Sequence, residues 1–179
     1  MENMEDTPRP GMAKTAITYG LLIGVLLIVI QLVFYFAGIM TSMYSAWISY
    51  AVILGGIILA TKAYRDEVRG GFISYGQALG FGTLTVLFTS VVVGVYIFIF
   101  YKFIDPGVIN IFIEAAEEKM LDVNPNMTDA ELDAALAISQ RLMKPGFMAF
   151  STIFNYTFIG FVMSLITSIF MKKNNPEEL

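Results

Sequence analysis

Four long apolar runs separated by short polar segments organise this chain. Residues 16–38 contain no charge over 23 positions. At about 1.5 Å per helical residue, such a run crosses a hydrocarbon core of about 30 Å. Further runs lie at about 45–61, 75–103 and 147–171. The pattern predicts four transmembrane helices. The turn between the first two is short and uncharged, with Thr41 and Ser42, so these spans should form an antiparallel pair. The third span is longer than a bilayer needs, and either its first turns lie in the interface or the helix tilts.

Residues 104–146 change character, with eight acidic residues and no apolar run long enough to span. Asp105 followed by Pro106 is a helix start, because the carboxylate can cap free amides and proline needs no partner at the first position. Ile109, Phe112, Ile113, Ala116 and Met120 then oppose Glu114, Glu117, Glu118 and Asp122 at a spacing near 3.6, which reads as an amphipathic helix to about Val123. Asn124-Pro125-Asn126 breaks it. Thr128 and Glu131 form a capping box, with Met127 and Leu132 placed for the staple that accompanies one. The second helix should bury Leu132, Ala135, Leu136, Leu142 and Met143, place Arg141 and Lys144 near its negative end, and stop at Pro145-Gly146. The expected fold class is therefore an all-α integral membrane protein, with four transmembrane helices and an amphipathic helical hairpin between the third and fourth. Its divisions are a cytoplasmic tail over 1–14 and a single four-span domain over 15–179, with 104–146 as a non-cytoplasmic acidic hairpin.

Composition agrees with this pattern. Of the 179 residues 56% are hydrophobic and 15% charged, and the mean hydropathy is +0.69, well beyond the usual soluble mixture. The start of the chain is acidic, and FAGIMTSMYS after the first run is a poor cleavage site, so the first span reads as a retained anchor rather than a signal peptide. Counting only Lys and Arg, one side gathers Arg9, Lys14, Lys62, Arg65, Arg69, Lys172 and Lys173, against Lys102, Lys119, Arg141 and Lys144 on the other. Both termini in the cytoplasm fit that imbalance, and the acidic hairpin then lies outside.

Candidate chemistry is sparse. The chain has no Cys and no His, which removes thiol chemistry, the commonest metal ligands and the usual neutral-pH base. Apart from Lys102 at the far end of the third span, no span carries an ionisable acid or base, so an intramembrane enzyme lacks its parts. We expect no enzyme, no catalytic, cofactor or metal residues, no cofactor and no nucleic-acid partner. The acidic cluster on the first hairpin helix has helical spacing rather than the turn-rich geometry of a calcium loop, and Thr128 in the sequon at Asn126 is better explained as a cap. Thr152, Tyr156, Gly160, Ser164 and Ser168 recur every fourth residue in the fourth span, as a packing face or, alternatively, a solute path. Gly20-x-x-x-Gly24 and Gly76-x-x-x-Gly80 have the spacing of close helix approach. Tyr44, Trp47 and Tyr50 are either headgroup-level rings or packed aromatics. Gln31 and Asn155 fall at matching depths, so spans one and four should be neighbours joined there.

The run RGGFISYGQALGFG, the FIDP exit of the third span, the acidic amphipathic helix, the Met-Thr-x-x-Glu helix start and the Lys-Pro before the last span resemble the bacterial membrane-protein family known as "domain of unknown function 4199". The resemblance covers about residues 12–172. It implies the four-span architecture and a bacterial cytoplasmic (inner) membrane, and brings no activity with it. The leading expectation is an accessory or scaffold protein that docks in the lipid bilayer and presents the hairpin to a membrane or envelope partner. The alternative is a homo-oligomeric channel or small-solute transporter using the Ser/Thr/Asn stripe of the fourth span. Reporter fusions after Glu67 and after Lys173 should read as cytoplasmic, and one near Asn126 as the opposite side. A cytoplasmic signal at Asn126 would invert the arrangement.

Overall fold

Each apolar run is helical along its length in the computed structural model, which describes residues 11–174. The elements are α1 (Met12–Phe36), α2 (Met43–Ala63), α3 (Tyr75–Ile99), α4 (Val108–Val123), α5 (Asp129–Leu142) and α6 (Pro145–Met171). No strand occurs among the described residues, only an isolated pairing of Ile73 with Lys173. Four of the helices are long and apolar enough to cross a membrane: α1, α2 with its extension, α3 with its extension, and α6. Of the tail expected over 1–14, residues 1–10 lie outside the described residues, and Met12, Ala13 and Lys14 already belong to α1.

Local chemistry sets the ends of these helices. α1 stops where Gly38 takes φ 68°; its N–H bonds Tyr35 O at 3.1 Å and the Ile39 N–H bonds Phe34 O at 3.0 Å, the paired bonds of a Schellman cap. Ser42 caps α2 by accepting from the Tyr44 N–H. α2 and α3 each run on into one wider turn, closed by bonds from Arg69 N–H to Tyr64 O (3.1 Å) and from Asp105 N–H to Phe100 O (2.8 Å). Around α1, exposed Leu21, Leu22, Val25, Leu26, Val29 and Val33 are as apolar as buried Ile23, Leu27 and Phe34. A helix that is oily on all sides is compatible with lipid as its solvent.

α3 is the hub. It has 44% of its most apolar stretch buried, against 22–28% for the other three spans, and both α1 and α6 take it as their main partner. Lipid offers no hydrophobic drive for one helix to join another, so close packing and hydrogen bonds must hold the pair. Along the parallel α1–α3 seam, a Cβ on Gly20 would lie 2.7 Å from Phe88 Cβ and 2.8 Å from Thr85 O, and one on Gly24 2.9 Å from Val92 Cβ. Thr89 Oγ1 donates to Gly20 O across that seam at 3.1 Å. The antiparallel α3–α6 seam pairs Gly82 with Ser164, Val86 with Gly160, Ser90 with Thr157 and Gly94 with Ile153. Its hydroxyl pair, Ser90 and Thr157, meets at 2.9 Å. α2 completes the bundle, with Gly56 against Ile23 and the Tyr64 ring stacked on Phe81 at 4.2 Å.

Two expectations change here. Gly76 and Gly80 have open space where a Cβ would go, so the Gly-x-x-x-Gly repeat is a contact in α1 but not at the start of α3, where the side facing the bundle is Ala78, Phe81 and Gly82. α4 begins at Val108 rather than Pro106. Asp105 Oδ1 accepts from the Gly107 N–H at 2.9 Å, and Ile109 and Asn110 bond three residues back to Pro106 O and Gly107 O, making a tight turn before the helix. α5 starts as expected: Thr128 Oγ1 accepts from the Glu131 N–H, and Glu131 Oε2 accepts from the Thr128 N–H at 2.9 Å and its hydroxyl at 2.8 Å. These bonds, the backbone one first, hold the Glu131 carboxyl below its ordinary value.

Two predictions follow from these contacts. Gly20→Ala or Gly160→Ala should cost about 1 to 3 kcal/mol of bundle stability by overpacking. Gly76→Ala should cost nothing, or stabilise by roughly 0.5 to 1 kcal/mol through helix propensity. Reversible unfolding in mixed micelles measures both, and equal effects at Gly20 and Gly76 would contradict the seam. Thr128→Ala should speed amide exchange across residues 129–132 roughly fivefold at neutral pH. The folded-state value of Glu131 is the lower one, so its share of the cap is complete above the unfolded carboxyl value of about 4.3 and is lost as pH falls through the folded value. The difference between the two proteins should therefore shrink below about pH 4; a difference independent of pH would exclude Glu131 from the cap.

Candidate functional site

One group of polar side chains, Gln31, Ser45, Ser49, Tyr101 and Tyr156, lies at the end of the bundle nearest α4 and α5. The Tyr35 hydroxyl, at the end of α1, donates to Asp105 Oδ2 at 2.6 Å, so the residue that caps the turn before α4 also fastens α1 to the exit of α3. Ring contacts continue inward from Tyr35 to Phe100 (5.2 Å), and from Tyr101 out to Phe112 of α4 (5.9 Å). Val108, fully buried, is the other point at which α4 grips the bundle. Lys102 keeps its ammonium over the rings of Phe98 and Phe103, at 5.0 and 5.1 Å.

A cavity of about 210 Å³ lies beneath these contacts, lined by Gln31 of α1, Ser45 and Ser49 of α2, Tyr101 at the end of α3 and Tyr156 of α6, with Phe112 of α4 on its wall. Ser49 Oγ donates to Ser45 O at 2.9 Å and Ser45 Oγ to Ser42 O at 2.7 Å. Tyr156 lines the same space as Ser49 and Gln31. Gln31 and Asn155 are thus near one height, but the link expected between them is replaced. Asn155 Oδ1 accepts from the Tyr50 hydroxyl of α2 at 3.2 Å, and Gln31 shares the cavity with Tyr156, one residue further along and so rotated about the helix. α1 and α6 meet chiefly through α3.

The fourth-span stripe points into the bundle. Gly160 packs on Val86, Ser164 is fully buried against Gly82, and Ser168 is buried as well. This is a helix-packing geometry. Ser164 Oγ, Thr61 Oγ1 and the Tyr96 hydroxyl are buried without a partner among the described residues. Of the aromatics at the start of α2, Tyr44 and Trp47 are 77% and 67% exposed, whereas Tyr50 packs on the Tyr156 ring.

α4 and α5 touch one another. The apolar side of α4, Ile109, Phe112, Ile113, Ala116 and Met120, is half-buried, while Glu114, Glu118 and Asp122 are exposed. α5 has no fully buried residue. Leu132, Ala135, Leu136 and Met143 are half-buried, but Leu142, expected inside, is 49% exposed, and Ile138 is 60% exposed. With α4 as its main cover, one 14-residue helix does not hide its whole apolar side.

At the opposite end, the segment after α2 fastens α6 to α3. Gly70 and Gly71 take φ 70° and 92°, a conformation that disfavours other residues. Ile73 and Lys173 exchange backbone bonds at 3.0 and 2.9 Å. Arg65, paired with Asp66, also reaches Met171 O at 3.3 Å, where a cation suits a helix C-terminus. Ser74 and Gln77 form a capping box for α3, with Arg69 on the Gln77 side chain at 3.1 Å. The reading of the sequence missed this box, although Ser-x-x-Gln before an apolar run is its signature.

No curated protein and no solved structure matches the chain. A family model nevertheless matches the chain from within α1 to the residue that pairs with Ile73. Matched over residues 18–173, the chain belongs to the family described as "Protein of unknown function (DUF4199)".

Proposed function

We propose that this protein is a membrane accessory or scaffold protein, held in a bacterial inner membrane by its four spans, with both termini in the cytoplasm and α4–α5 as an acidic amphipathic hairpin offered to a partner outside. The observation that carries this reading is the mismatch between the two halves of the molecule. The spans spend their small and polar residues on each other, whereas α5 buries no residue fully and leaves Ile138 and Leu142 exposed on a helix that starts with Asp129 and Glu131 and ends with Arg141. Mixed apolar and charged surface of this kind suits a protein partner better than bulk lipid. No reaction chemistry is assigned, because the span interiors bring together hydroxyls and a carboxamide without an acid, base or nucleophile pair. The transporter alternative loses support from the stripe of α6, since Gly160 and Ser164 are occupied by α3.

A photocrosslinker at position 138, used in native membranes, tests the reading. It should give one recurrent adduct with another membrane or envelope protein, and that adduct should weaken severalfold when Glu114 and Glu118 are both changed to Lys. Adducts only with a second copy of the chain, unaffected by the charge reversal, would favour an oligomer instead.

A further inference from the structure

We propose that the cavity between α1, α2, α3 and α6 is a binding site for a small uncharged ring compound carrying a hydroxyl group, and that α4 responds to its occupancy through Phe112. This stands apart from the partner reading, since it concerns other residues. Polar groups converge on the space from four helices: Gln31, Ser45, Ser49, Tyr101 and Tyr156. None of them carries a charge at neutral pH, so an ion placed there would exchange its hydration for a few neutral dipoles and no counter-charge.

The polar groups are also complementary to a hydroxyl. The protons of Ser45 and Ser49 are committed to carbonyls of their own helix, which leaves their oxygens as acceptors. The Gln31 amide and the Tyr101 and Tyr156 hydroxyls supply donors, and Tyr101 is 96% withdrawn from solvent, with only 4% exposed. A hydroxyl both donates and accepts, as this arrangement requires. The remaining wall, with Phe34, Ile97 and Phe112, is apolar and partly aromatic, and suits a ring. An apolar cavity of about 150 Å³ holds one benzene, so about 210 Å³ takes a ring with a substituent.

Two features make the site accessible to experiment. Ala46 lines the cavity and is exposed, which puts an opening beside Trp47, and that tryptophan is the only one in the chain. Phe112 rests on Tyr101 from α4, so a ring in the cavity gives it a further surface to pack on.

The full chain in phosphatidylcholine nanodiscs at pH 7 should be titrated with 4-bromophenol, whose bromine quenches indole fluorescence at short range. Quenching of Trp47 should saturate, and bound probe should slow amide exchange in residues 108–123. Ser49→Leu, which fills the space, should raise the half-saturation concentration more than tenfold. Tyr156→Phe, which removes one hydroxyl and keeps the ring, should raise it about two- to tenfold, the worth of one hydrogen bond. Quenching that grows linearly with probe, as from simple partition into lipid, overturns the proposal. So does a saturating response whose midpoint is the same in wild type and Tyr156→Phe, a comparison that holds even if Ser49→Leu fails to fold.

Discussion

Backbone-to-backbone approach along α3 is the constraint on which the rest of the bundle depends. Glycine on α1 meets bulk on α3 at Gly20 and Gly24, while on the other side α3 and α6 alternate glycine and bulk through Gly82, Gly160 and Gly94. Each close approach brings backbone carbonyls and hydroxyls within reach, as at Thr89 with Gly20 and Ser90 with Thr157. Such bonds are worth only about 0.6 kcal/mol each on average in a membrane. It is therefore their combination with interlocked shape, rather than any one contact, that favours this arrangement over four helices dispersed in lipid.

α2 has no comparable seam, and that difference accounts for the cavity. Its first turns present Ser45, Ala46 and Ser49 toward a region bounded by Tyr101, Tyr156 and Phe34. Small side chains opposite rings fixed by their own contacts leave space. Further down, Ile53 and Ile57 fill the interior, and both are fully buried. The same polar positions that would be costly against lipid are tolerated here because they face one another and the cavity.

Much of the fold was legible in the sequence because the bilayer imposes a one-dimensional code of length and polarity. The four spans, the break at Asn124-Pro125, the Thr128 capping box and the inward stripe of α6 all follow from it. What did not follow is azimuth, the direction in which a residue faces around its helix. Depth alone matched Gln31 to Asn155, whereas the neighbouring Tyr156, rotated by about 100° at 3.6 residues per turn, is the residue that lines the same cavity as Gln31. Spacing alone made Gly76 and Gly80 equivalent to Gly20 and Gly24, although only the latter pair faces α3. The link from Tyr35 to Asp105 joins residues 70 positions apart, and nothing local to either announces it.

The motif that carries the family resemblance acts as a fastening rather than as chemistry. In RGGFISYGQ, Gly70 and Gly71 supply left-handed backbone, Ile73 pairs with Lys173, and Ser74 with Gln77 caps α3, while the neighbouring Arg65 takes the Met171 carbonyl at the end of α6. Each of these roles depends on backbone geometry, and together they close the bundle at its cationic end by tying the last helix to the start of the hub. These contacts account for how α3 and α6 are held in register. The features through which this chain could meet another molecule, the cavity beside Trp47 and the uncovered side of α5, lie away from that fastening, at and beyond the last turn of α3, past the glycine seams.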